Sequence, residues 1–282
     1  MRLGAHVSAA GGLWKAGPAG KQLECEVIQI FSRSPQMYTA KPISEKDVEK
    51  FKTSMKENGI KDVYIHAPYI INLASAKNTT RFGSIKILRE ELERGTQLGA
   101  KALMFHPGSA KELGKKEGTD TVIDGLDRIL DGYKGTCQLL IEISAGAGEV
   151  MGDTFEEIAE FIHRAKRGQE IGVCLDTQHA FASGYDLRTK KAVDETFKRF
   201  DKLIGIKKLV VIHCNDSKTE LGSRKDQHEH LDQGLIGTVG FKAIVQHSKL
   251  QHVDLIIETP VDKKSEKGSR EKDLLLLKKY HE

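Results

Sequence analysis

Apolar residues along the chain gather into eight short runs, at 2–8, 27–33, 62–68, 102–108, 138–144, 171–177, 208–216 and 253–260. Several are close to unbroken, as in VYIHAP, LLIEIS and LVVIHCND. That is how parallel strands covered on both faces read. Between the runs lie stretches with helical spacing. Residues 44–58 open on Ser44, a good N-cap, and stop at Gly59. Residues 79–98 set Ile85, Leu88, Leu92 and Leu98 near one face and stop at Gly99. The same spacing predicts helices over 119–131, 154–167, 190–204, 239–247 and 271–280. Strand and helix alternating in this way predict an α/β fold, a parallel (β/α)8 barrel forming one domain over residues 1–282. A doubly wound open sheet is the structural rival. It ranks second because the chemistry below needs the strand ends to converge.

Composition narrows the class. The 282 residues are 39% apolar and 30% charged, ordinary for a globular protein, and no low-complexity stretch divides them. No apolar run approaches the 18 residues of a membrane span, and the first residues show no secretory leader pattern. A cytoplasmic protein without a membrane partner is therefore expected. Cys25, Cys137, Cys174 and Cys214 are far apart, without a CxxC, and read as reduced thiols. A net charge of +4 is compatible with a polyanionic partner without indicating one. No helix carries a surplus apolar stripe, so a monomer is expected.

The unusual residues fall at the ends of the last six runs: His66, His106, Glu142, Asp176 followed by His179, His213 and Glu258. Burying a polar side chain at the end of an apolar run is costly unless it is paired or ligating. Taken singly, a strand-end histidine is ordinarily a hydrogen-bonded rim residue. Six such groups on one barrel rim would destabilise it, and metal ions are the simplest way to satisfy them. The loop 222–230, GSRKDQHEH, adds Asp226 and His228, two apart and so on one side of an extended chain. Its bland reading is a solvated charged loop. Imidazoles and carboxylates without thiolate suit zinc ahead of manganese or iron. No GxSxG is present, and Cys174 and Cys214 read as small buried thiols within strands.

Through VYIHAPY, MFHPG, LDTQHAFASGYD, IHCNDSKTELGSRKDQHEH and IIETP, the chain resembles the endonuclease IV family of AP endonucleases. The likeness runs from GAHVSAAGG at 4–12 to Glu258-Thr259-Pro260. It implies a TIM barrel with three zinc ions. His66, His106 and Glu142 would hold the first. Glu142 would bridge to a second, shared with Asp176, His213 and Glu258. His179, Asp226 and His228 would hold the third. It further implies a hydrolase of the phage-T4-induced deoxyribonuclease IV type, acting in base excision repair on double-stranded DNA. Such an enzyme cuts 5′ to abasic sites, leaves a 3′-hydroxyl and clears blocked 3′ ends. Glu142 and Glu258 are the expected catalytic carboxylates, with Glu258 orienting the nucleophile.

By the same resemblance Tyr69 and Ile70 match a tyrosine–aliphatic pair that enters the damaged duplex, as apolar wedges do in kinked DNA. In the loop RSPQMY, Gln36 stands where the family has an inserting arginine and Tyr38 where it has tryptophan; Arg33 is expected as a phosphate contact. Ile143-Ser144-Ala145-Gly146-Ala147, Gln178, Gln227 and Asp232 also depart from the family pattern. A weaker or differently tuned nuclease is expected. Two rivals stand beside it. A single-metal sugar isomerase or epimerase would use Glu142, Asp176, His213 and Glu258 and leave five other candidate ligands idle. A catalytically silent binder of damaged DNA would hold zinc without turnover. The stretch 262–282, with seven Lys or Arg, reads first as a solvated final barrel helix with Leu274–Leu277 packed inward, and second as a source of added phosphate contacts that would steepen the loss of affinity with salt.

Overall fold

The computed structural model describes residues 1–261 and 268–282. Eight parallel strands close into a barrel: β1 (Leu3–His6), β2 (Val27–Ile30), β3 (Asp62–His66), β4 (Ala102–Phe105), β5 (Gln138–Glu142), β6 (Gly172–Asp176), β7 (Leu209–His213) and, last in the chain, Asp254–Ile257. A short antiparallel ribbon, β8 (Asp216–Ser217) with β9 (His228–Glu229), intervenes in sequence, so the closing strand is β10. β1 pairs with β10 on one side and β2 on the other, which shuts the ring. The expected barrel is therefore found, and the open sheet is excluded.

Alternate residues point into the barrel and stack in layers. Val27, Tyr64, Ala102, Met104, Leu140, Cys174, Val211 and Ile256 form an apolar plug. Beneath it Asp254 accepts from Arg2 Nη2 and from Tyr64 Oη, both at 2.6 Å, and from Lys101 Nζ at 3.1 Å. Above it lies the polar layer described below. The larger apolar core fills the space between the strands and the surrounding helices.

Those helices are α1 (Ala16–Gln22), α2 (Glu45–Glu57), α3 (Asn78–Leu98), α4 (Gly114–Leu130), α5 (Phe155–Arg164), α6 (Thr177–Ala182), α7 (Lys190–Leu203), α8 (Gly237–Val245) and α9 (Gly268–His281). Ser44 caps α2 as expected, accepting from Asp47 N at 3.1 Å, and Gly99 ends α3 in the left-handed region. The sequence did not announce α1, whose AGPAGKQ lacks helical periodicity. It forms because small residues let it dock: a Cβ at Gly17 would lie 2.5 Å from Ser54 Oγ, and one at Gly20 2.6 Å from Ile28. α4 starts five residues ahead of the periodic stretch expected at 119, and α6 is additional to the expected set. The single strand expected over 208–216 divides into a turn, β7 and the ribbon strand β8. Residues 262–267 of the basic C-terminal stretch lie outside the described residues. On α9 Leu274 and Leu277 are buried as expected and Leu276 is partly buried, but Leu275, expected to pack inward with them, is 58% exposed because four consecutive residues cannot share one helix face.

Candidate metal centre

The last inward-facing positions of the strands form one polar layer at the C-terminal mouth. His66, Glu142, Asp176 and His213 are the final residues of β3, β5, β6 and β7, and all four are buried. His106 and Glu258 stand one residue beyond β4 and β10. His106 is held in a tight turn: Gly108 has φ +101°, and Asn72 Oδ1 accepts from Ser109 N at 3.1 Å. Asp176 also caps α6, accepting from His179 N at 3.0 Å, and this aims the His179 ring at the same mouth. The β8–β9 ribbon brings in His228, and Asp226 precedes it.

Ligand atoms within 4.8 Å of one another fall into sets: His66, His106 and Glu142; Glu142, Asp176, His213 and Glu258; and Asp176, His179 and His228. Asp226 Oδ1 joins the last, 3.3 Å from His179 Nε2 and 3.4 Å from His228 Nε2. All nine expected ligands are thus brought together. Cys174 lies close to Glu142 and His213; it belongs to the apolar plug, and burial raises its thiol above the ordinary value.

The hydrogen bonds fix which imidazole nitrogen faces the cavity. Ala67 O lies 2.7 Å from His66 Nδ1 and Ile143 O lies 3.0 Å from His179 Nδ1. A carbonyl only accepts, so both Nδ1 atoms carry hydrogen and both Nε2 lone pairs face inward. Gln29 Nε2 donates to Glu258 Oε1 at 2.6 Å, which turns Gln29 Oε1 to accept from His213 Nε2 at 2.7 Å. The Nδ1 lone pair of neutral His213 then points at Glu142 Oε1, 2.9 Å away, and Glu258 Oε2, 3.1 Å away. Likewise His179 Nε2 and His228 Nε2 are 3.3 Å apart. Lone pairs aimed at one another and at carboxylates repel unless a proton or a metal ion lies between them. Glu142 Oε2, fully buried, has no hydrogen-bond partner among the described residues, and His66 Nε2 faces it at 3.2 Å. The residues fit a divalent metal cluster.

The electrostatics agree. Burial alone would raise the Glu142 carboxyl, but the charges of His106 and His213 hold it well below the usual carboxylate range. Glu258 is held down in the same way, chiefly by His213. Burial takes His106 down to about 4, whereas Asp176 and Asp226 overcome burial at His179 and raise it to about 10. Without metal, protons on some imidazoles carry the neutralising charge that a cation would otherwise bring.

Residues that the strand-end pattern did not single out complete the layer. His6 Nδ1 lies 3.0 Å from Glu258 Oε1, and Asn215 donates to Asp176 Oδ2 at 2.6 Å while accepting from Glu258 N at 2.8 Å. Together with Gln29 they mean that the first two strands also reach the centre. The His6 position after an apolar run was the available signal. Asp273 on α9 accepts from Thr259 Oγ1 at 2.6 Å and Leu231 N at 3.1 Å, and its Oδ2 lies 2.8 Å from His230 Nδ1. It ties α9 to the segments carrying Glu258 and His228.

At the rim, Tyr69 is 68% exposed, its ring 5.3 Å from Phe31, with half-buried Ile70 beside it. Gln36 is exposed. Arg33 differs from expectation. Its side chain is buried, with Nε donating to Glu91 Oε1 at 2.6 Å, Nη2 to Glu90 at 3.0 Å and Nη1 to Tyr38 O at 3.2 Å. It locks the 32–38 loop and is not presented at the mouth. Gln178 is buried, donating to Lys225 O at 2.8 Å, and Asp232 adopts φ +66°, a conformation that favours glycine.

A family profile described as xylose isomerase-like TIM barrel matches residues 19–280. A probable endonuclease 4 from Chloroflexus aggregans is 39% identical over 260 residues, covering 92% of this chain and 91% of its own. The endonuclease IV structure from Thermus thermophilus superposes with a TM-score of 0.87 at 32% identity, covering 99% and 98% of the two chains. A D-tagatose 3-epimerase-like protein shares the fold at a TM-score of 0.71 and 18% identity, covering 99% of this chain and 97% of its own. By sequence along nearly its whole length, the chain belongs to the endonuclease IV family of xylose isomerase-like TIM barrels.

Proposed function

We propose that the protein is a zinc-dependent AP endonuclease of base excision repair, an intracellular monomer that hydrolyses the phosphodiester 5′ to abasic sites in double-stranded DNA. It leaves a 3′-hydroxyl and also removes blocking groups from 3′ ends. Supporting this above all is the convergence of nine imidazole and carboxylate side chains on one mouth, with lone pairs turned inward and Glu142 Oε2 without a hydrogen-bond partner among the described residues. His66, His106 and Glu142 would hold one ion, Glu142, Asp176, His213 and Glu258 a second, and His179, Asp226 and His228 a third. Nitrogen and oxygen donors without thiolate favour zinc. When bound, such ions supply Lewis acidity, easing loss of a proton from water near neutral pH and neutralising the phosphodiester.

The chain's own groups do the positioning. Glu142 belongs to two of the clusters and holds them in register. Glu258 is fixed by Gln29 Nε2 on Oε1 and by its backbone N–H to Asn215, so its other oxygen keeps a defined direction. It orients the nucleophile. Glu258→Gln retaining full activity at full metal content would remove that role. Tyr69 and Ile70 stand at the rim where a side chain can enter the gap left by a missing base. Gln36 lies on the neighbouring loop as a polar DNA contact. Arg33, buried against Glu91, acts on DNA only by holding that loop.

The epimerase alternative needs one metal, for which Glu142, Asp176, His213 and Glu258 would suffice. It gives no work to the other five ligand residues. Cleavage of a labelled duplex carrying one synthetic abasic site, with product ends mapped and metal content measured, separates the readings. Scission 5′ to the site with about three zinc ions per chain, as the cluster count predicts, is the expected result. No scission with a single metal would transfer the assignment to sugar epimerisation. No scission with a full complement would leave a silent binder.

A further inference from the structure

Arg270 lies in the first turn of α9, beside the metal centre, and is partly buried. Its Nε and Nη2 donate to Thr259 O at 3.0 and 2.9 Å, and its Nη1 donates to His6 O at 2.5 Å. His6 ends β1 and Thr259 lies two residues beyond β10, its neighbour in the barrel, so the guanidinium is pinned across the two segments. Among the described residues no carboxylate forms an ion pair with it. Arg33, by contrast, meets two. Among the described residues three of the five N–H groups of this arginine are engaged, which leaves one on each terminal nitrogen.

Two depressions meet at this residue. One is the metal centre, with Glu258, His66 and His228 in its walls. The other is a cleft of about 700 Å³ between the loop that follows β1, from Val7 to Leu13, and the segment Phe31–Pro35. His6, Phe31 and Arg270 line both. Cavities of this size accommodate ligands as large as a nucleotide.

We propose that Arg270 binds a backbone phosphate flanking the one that is cut, guiding the strand from the metal centre into the adjacent cleft. A fixed guanidinium with a free N–H on each terminal nitrogen matches two phosphate oxygens at once. Its charge lies near Glu258 and Asp273 but forms an ion pair with neither among the described residues, and it sits between the metal centre and the cleft. This role rests on the nucleic-acid function proposed above.

The test is titration of an abasic duplex by the full-length wild type, Arg270→Gln and Arg270→Lys across a salt series, with melting temperatures recorded alongside. Each phosphate neutralised contributes about 0.9 to the slope of log affinity against log salt. Arg270→Gln is expected to lower the slope by about one, and Arg270→Lys to keep the wild-type slope. A slope unchanged in Arg270→Gln overturns the proposal. So does Arg270→Lys following Arg270→Gln, because a distorted wall would then explain both. A merely structural role lowers the melting temperatures and either leaves the slope alone or changes it equally in both variants. Wild type that neither binds nor cuts the abasic duplex refutes this role and the proposed function together, whereas binding with an unchanged Arg270→Gln slope refutes this role alone.

Discussion

Glu91 is completely buried on α3 and holds the loop that faces DNA in the proposed function. Its Oε1 accepts from Arg33 Nε at 2.6 Å, its Oε2 accepts from Ser32 Oγ at 2.6 Å, and Arg94 Nε lies 3.3 Å away. The Arg33 side chain is only 1% exposed. Replacing Glu91 by alanine strands that guanidinium beside the half-exposed Glu90. Removing one partner of a buried ion pair costs about 3–5 kcal/mol, mostly from the uncompensated charge. In a chain of this size a loss of that order lowers the melting temperature by roughly 10 °C. The double substitution Glu91→Leu with Arg33→Met removes the stranded charge and is expected to recover most of the loss. Urea unfolding and thermal melts of the single and double variants make the comparison. A Glu91→Ala protein within about 1 kcal/mol of wild type would refute the reasoning. Arg33 would then be free to swing out and serve as the phosphate contact its position in the sequence suggested.

At the floor of the barrel, burial would raise the Asp254 carboxyl, but Arg2, Tyr64 and Lys101 hold it below its ordinary value. A depressed carboxylate stabilises the fold fully above its unfolded pKa and loses that contribution as pH falls through the folded one. The stability gap between wild type and Asp254→Asn is therefore expected to be flat from pH 7 to about 5 and to shrink below about 4; a gap that widens in acid contradicts this. Gln29→Ala frees the His213 ring to turn and should weaken metal binding by about 10–100-fold, measured by competition with a chelator; unchanged affinity would show that the ring is held by other means. Asp273→Ala removes the acceptor shared by Thr259, Leu231 and His230. It should cost about 2–4 kcal/mol in chemical denaturation, and a loss under about 1 kcal/mol would refute the tie between α9 and the ligand segments.

The barrel was legible because strands buried on both faces leave an unmistakable apolar run, and because polar residues at the ends of such runs have few explanations. His66, His106, Glu142, Asp176, His213 and Glu258 all followed from that pattern. Gln29 did not stand out, since one amide within VIQI resembles a tolerated core polar residue until the register places it opposite His213 and Glu258. The helix Ala16–Gln22 was silent because close packing of small residues, which forms it, leaves no periodic signal. Arg33 misled for a related reason. A charge next to a functional loop reads as solvent-facing, and only the three-dimensional neighbourhood reveals Glu91 behind it.

The pairing of the first strand with the last also bears on how the protein comes into being. Leu3 faces Leu255 and Ala5 faces Ile257 across the closing seam, so these contacts have nearly the greatest sequence separation the chain allows. High contact order slows folding, because the loop entropy is lost before the contacts form. During synthesis the emerging chain has His66, His106 and Glu142 long before Glu258 exists to complete their layer. Until the final strand docks, an unfinished barrel exposes strand edges that favour association with other chains. Full assembly of the ligand layer is accordingly a late event that waits for the last barrel strand. A chain stopped before β10 would lose the seam and the layer above it in the same stroke.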